Sequence, residues 1–113
     1  MIRLAPRFLL LAALGLLPFA GGCSTPTLPL PPPAALTATP PDADGLVTVE
    51  GEVIENAYVF CFNEITERGV IGRADEMGRF SLQVEASPGD QLSVWQEIGR
   101  DVGEMRLISV PPP

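Results

Sequence analysis

The chain has 113 residues, with seven basic residues against fourteen acidic ones, and it contains no histidine. Its formal charge of −7 argues against a nucleic-acid partner, which needs a basic patch to displace phosphate counterions, and against direct adhesion to anionic headgroups. Without histidine, Ser-His-Asp and Cys-His catalysis and imidazole metal sites are excluded.

Residues 1–22 have the three-part layout of a secretory signal, with a helical apolar core. Arg3 and Arg7 supply its positive start, residues 8–19 (FLLLAALGLLPF) are uncharged and apolar, and Ala20-Gly21-Gly22 are small. A spanning helix needs roughly 20 apolar residues, so this run is too short to remain as an anchor by itself. A plain signal peptide, with Cys23 incidental, is one reading. Ala20-Gly21-Gly22-Cys23 also resembles a bacterial lipobox, although Ala20 stands where leucine is more usual. That resemblance implies cleavage between Gly22 and Cys23, a diacylglycerol on the Cys23 sulfur and an N-acyl chain. It implies a lipoprotein of the bacterial cell envelope, anchored in a membrane by its lipids. Ser24, in place of aspartate, favours the outer membrane. Loss of Arg3 and Arg7 leaves five arginines against fourteen acids, a net charge of about −9. Cys61, in AYVFCFN, is then without a partner thiol and reads as a small buried hydrophobe.

Residues 23–45 read as the lipidated cysteine and a disordered, proline-rich linker. Seven of residues 24–45 are proline, and such a stretch favours extended polyproline II. At about 3.1 Å per residue it would hold a domain up to roughly 70 Å from its anchor. A PxxP docking site, or a stalk glycosylated on Thr25, Thr27, Thr37 or Thr39, are the alternatives.

Residues 46–110 are the foldable unit, and the pattern predicts an all-β domain of six or seven short antiparallel strands without helix. Val47, Val49 and Val53 alternate with Thr48, Glu50 and Glu52; a second strand covers 57–62 and a weaker third 69–74. A turn at 75–78 precedes the alternating Phe80, Leu82 and Val84. A second turn, Ser87-Pro88-Gly89-Asp90, precedes Leu92, Val94 and Ile98, and a last strand spans 104–110. Residues 111–113 are a proline tail that cannot continue a ladder.

GEVIENAYVFCFN, ADEMGRFSLQV and SPGDQLSVW together resemble the carboxypeptidase regulatory-like domain, a transthyretin-like (prealbumin-like) β-sandwich. The matching residues are Gly51 and Val53, Ala57 and Val59, then Asp75, Gly78, Phe80 and Leu82, and Pro88, Gly89, Asp90, Leu92 and Val94. The resemblance implies a small Ig-like sandwich with Ala57, Val59 and Cys61 pointing inward. Tyr58, Phe60 and Phe62 then face outward. With Leu92 and Val94 inward, Trp95 also faces outward, and the four aromatics become a candidate partner-binding patch. The alternatives are that linker prolines or the loop 63–68 cover the rings, or that the register is reversed.

No catalytic residue, resident cofactor or metal ligand set is expected. Glu64, Glu67, Asp75 and Glu76 fall close together in sequence, but a catalytic carboxylate pair needs a pocket to separate two pKa values. Asp42, Asp44, Asp75 and Asp90 lack EF-hand spacing. The expectation is a non-enzymatic, lipid-anchored envelope protein displaying a β-sandwich for protein or glycan contact. An accessory subunit of a secretion, adhesion or transport complex is the alternative, and a carboxylate-based envelope hydrolase the remote one.

Overall fold

The computed structural model describes residues 29–113. The signal segment 1–22 and Cys23, with Gly22 before it, lie outside the described residues. Eight strands form two antiparallel sheets: β1 Ala34–Ala38, β2 Leu46–Glu52, β3 Tyr58–Asn63, β4 Arg68–Arg73, β5 Arg79–Glu85, β6 Gln91–Ile98, β7 Asp101–Val102 and β8 Arg106–Ser109. The smaller sheet has the order β1-β2-β5. The larger runs β4-β3-β6-β7, with β8 also paired to β6. No helix occurs among the described residues.

Alternation builds both layers. On β2 and β5, Val47, Val49, Phe80, Leu82 and Val84 point into one core, while their neighbours Thr48, Glu50, Ser81 and Gln83 point to water. Val59, Cys61, Leu92 and Val94 meet them from the larger sheet. A side-chain period of two makes this register costly to slip, because a one-residue shift would expose every one of these groups. Gly72 on β4 admits Leu82 from the facing sheet: a Cβ there would lie 2.2 Å from Leu82 Cδ2.

The turns follow from their residues. Asp75 accepts two backbone N–H groups, from Met77 and Arg79, each at 2.9 Å. Gly78 takes φ +79°, a left-handed conformation that strains a residue bearing Cβ. At the next turn Gly89 takes φ +88°, and the Asp90 carboxylate accepts from Ser87 N–H at 2.9 Å.

Two expectations are corrected. The disordered linker expected over residues 23–45 does not extend through 29–45. Residues 29–45 belong to the folded unit: β1 pairs with β2, Pro33 is fully buried, and Asp42 Oδ1 organises the turn into β2 by accepting from Asp44 and Leu46 N–H. Proline content misled here because proline is tolerated at the start of an edge strand, where its missing N–H faces no ladder. Second, the strand expected over 104–110 is shortened to β8, Arg106–Ser109, and an unexpected two-residue strand, β7, precedes it on the same edge of β6.

Candidate contact face

Antiparallel pairing places directly opposed residues on one side of a sheet. Across the larger sheet Phe60 opposes Ile71 on β4 and Trp95 on β6, Tyr58 opposes Arg73 and Glu97, and Phe62 opposes Gly69 and Ser93. All of these side chains lie on the outer face, away from Val59, Cys61 and Val94. The four aromatics named from sequence therefore stand together on two hydrogen-bonded strands. Tyr58 is exposed, at 49%, and Phe60, Phe62 and Trp95 are half-buried.

The rings are held in place by one another and by polar neighbours. Phe60 and Trp95 stack with centroids 5.2 Å apart and planes 7° from parallel. Trp95 Nε1 donates to Glu97 Oε2 at 2.9 Å. The Arg73 guanidinium sits 5.3 Å from the Tyr58 ring centroid and donates to the Asn56 carbonyl oxygen at 3.1 Å. Phe62 lies over Gly69, where an added Cβ would come within 3.2 Å of the ring. Ser93 beneath them is buried and donates its hydroxyl to Glu64. A depression of about 190 Å³ opens between Phe60, Phe62, Ile71 and Trp95.

Three apolar members of this face were not singled out in the sequence. Ile71 is 65% exposed, Val102 60% and Leu107 51%. Val102 opposes Glu97 and Leu107 opposes Ser93, so both belong to the outer side. Ile71 follows Val70 in a strand where both neighbours are apolar, and only the pairing tells which one faces out. Among the described linker prolines, Pro33 is fully buried and the Pro31 carbonyl accepts from the buried Gln96 side chain at 2.8 Å, on the side of β6 away from the rings.

The remaining chemistry-bearing residues are dispersed. Glu64 and Glu67 follow β3, whereas Asp75 and Glu76 follow β4, so a six-residue strand of roughly 20 Å separates the two pairs. Among the described residues no group of three or more cysteines and carboxylates is arranged to hold a metal ion. Burial pushes the Cys61 thiol up to about 11, which keeps it protonated at neutral pH. The Asp90 carboxyl is held below its ordinary value, first by the Ser87 N–H and then by the Asn63 amide. These groups serve the fold. What the outer face can do chemically is bind, by apolar burial and stacking on aromatic rings.

The molecule is thus a small two-sheet antiparallel β domain with one aromatic outer face. No protein-family model matches the chain, and no curated protein or solved structure is significantly similar to it.

Proposed function

We propose that the chain is a non-enzymatic lipoprotein of the bacterial envelope, outer membrane favoured. In this reading diacylglycerol and N-acyl chains on Cys23 anchor it, and a carboxypeptidase regulatory-like sandwich contacts an envelope protein or glycan. The observation that carries the contact reading is the juxtaposition of Tyr58, Phe60, Phe62 and Trp95 on one outer face of adjacent strands, Tyr58 exposed and the other three half-buried. Exposed aromatics gathered on one face usually mark an interaction site. The family reading is supported by the work done at its motif positions, such as the turn at Asp75 and Gly78 and the one at Gly89 and Asp90.

Two measurements test it. Labelled palmitate should enter the wild-type protein and be absent from Cys23→Ala. Affinity isolation from detergent-solubilised envelope should recover a partner that the triple substitution Tyr58→Ser, Phe60→Ser, Trp95→Ser no longer captures, with far-UV circular dichroism unchanged. Equal recovery by the folded variant removes the face from the function.

One observation favours the second reading, an accessory subunit that docks by strand addition. Among the described residues strand β4 has a hydrogen-bonded neighbour on one side only, so its other edge can take a partner's strand. Proline substitution at Ile71 should then abolish capture while the serine variants retain it.

A further inference from the structure

The tether proposed for Cys23 is much shorter than the proline content suggests. The Leu30 carbonyl already accepts from Glu104 N–H at 3.3 Å, so the chain is bound to the domain from residue 30 onward. Seven peptide units join Cys23 to Leu30, and in any conformation they span at most roughly 25 Å, at about 3.6 Å each. A lipid on Cys23 would keep the domain next to the bilayer.

The chain joins the domain at the edge of the sandwich beside β6 and β7. Pro31 is held by Gln96, whose side chain is buried between the sheets on the side of β6 opposite Trp95 and Glu97. A Cβ at Gly103, the residue after Val102, would stand 3.2 Å from Leu30 Cβ. The two outer surfaces of the sandwich differ in chemistry. One, on β2 and β5, carries Glu50, Glu52, Arg79 and Glu85 among Thr48, Ser81 and Gln83. The other carries Tyr58, Phe60, Ile71, Trp95, Val102 and Leu107, with Arg73 and Glu97 among them.

We infer that, in the anchored protein, the outer face of the five-stranded sheet rests on the lipid headgroup interface of its own membrane, with the acidic sheet turned to water. The inference rests on the lipid tether proposed above and supplies the face with an occupant before any protein or glycan arrives. Tyrosine and tryptophan combine an apolar ring with a polar tip and favour that interface. A tether of seven peptide units gives the face an effective concentration on the order of millimolar at the membrane, so even a weak affinity fills it. Glu64 and Glu97 lie on the same face, bonded to Ser93 and Trp95, and with the overall negative charge they select a zwitterionic lipid over an anionic one.

Trp95 is the only tryptophan in the chain and so reports on this face without labelling. The mature protein, purified from producing cells, is reconstituted into phosphatidylcholine–phosphatidylethanolamine vesicles with or without brominated acyl chains. Trp95 emission is expected to shift to shorter wavelength and to fall at least about twofold in the brominated vesicles, as for a ring seated at the headgroup–acyl boundary. Phe60→Ser with Ile71→Ser should abolish the quenching while circular dichroism stays unchanged. A reporter on the opposite sheet, Thr48→Trp with Trp95→Phe, should show none. Equal brightness of wild type in both vesicles overturns the inference, as does equal quenching of the two reporters. Shielding of Trp95 from acrylamide without bromine quenching would place a second copy of the chain on the face instead, and also overturns it.

Intact mass reads the tether separately. If Cys23 carries no lipid but added vesicles still quench Trp95, the face reading stands and the anchor falls; if neither holds, both fall.

Discussion

At the scale of single residues, two turn positions carry more than their size suggests. Gly78 combines φ +79° with a close approach, since a Cβ would lie 2.2 Å from the Val53 carbonyl oxygen, which belongs to the backbone and cannot rotate away. Gly78→Ala is therefore expected to destabilise the domain by about 2–4 kcal/mol, the sum of left-handed strain and overlap. The midpoint of urea unfolding reads this, and an unshifted midpoint would refute it. Asp90 accepts from Ser87 N–H and from Asn63 Nδ2 at 3.0 Å, and Asn63 is fully buried. The folded Asp90 pKa lies below its ordinary value of 3.8, so the unfolded chain binds this proton more readily than the folded one. Its contribution to stability is thus complete above about pH 4 and disappears as pH falls through the depressed value. Asp90→Asn should be less stable than wild type at pH 6, and the gap should shrink at about pH 3; a gap independent of pH would contradict the assignment.

At the scale of elements, β1 and the prolines before it decide where the domain begins. Gln96 holds them: its Oε1 accepts from Ile54 N–H at 3.0 Å and its Nε2 donates to Pro31. Gln96→Ala would leave two part-buried backbone groups unpaired and should lower stability by about 2–4 kcal/mol. For a domain of this size each kcal/mol moves Tm by roughly 4–8 °C, well within calorimetric resolution. A polypeptide begun at residue 46 loses the whole β1 edge and the buried Pro33, and it should show no cooperative thermal transition. A normal transition would return the domain boundary to Gly45. The same element explains why β2 tolerates Gly51 in its interior: a Cβ there would come within 2.9 Å of both Leu36 and Phe80.

At the scale of the whole molecule, the place of the domain relative to the proposed lipid anchor follows from where the fold begins. A linker running to Gly45 would stand the domain off such an anchor; a chain bound to the domain from Leu30 would hold it close to the surface. Inserting twenty Gly/Ser residues between Leu28 and Pro29 should therefore dilute the aromatic face at the membrane. With effective concentration falling roughly as the −3/2 power of tether length, the occupied-to-free ratio should drop about 5–10-fold. Bromolipid quenching of Trp95 reads this, and no change would mean that the face holds its surface without help from the tether.

How much of this was legible depends on the range of the interactions involved. Alternation of Phe80, Leu82 and Val84 and the turns at Asp75 to Gly78 and Ser87 to Asp90 depend on neighbours a few residues away, so the strands and their inward sides could be read directly. The outward placement of Tyr58, Phe60 and Phe62 came from the family resemblance, because residues 57–62 are apolar throughout and alternation alone does not choose a side. What could not be read depends on distant partners. Pro31 meets Gln96 across 65 residues, and β1 joins a sheet that its proline-rich composition argues against. Ile71 and Val102 join the aromatic face only through β-pairing, and β7 exists because β6 offers it an edge. The local pattern of the chain set which residues each strand buries. Only the folded molecule, where long-range hydrogen bonds offset the entropy of ordering a proline segment, decided where the domain starts and which side chains share its outer face.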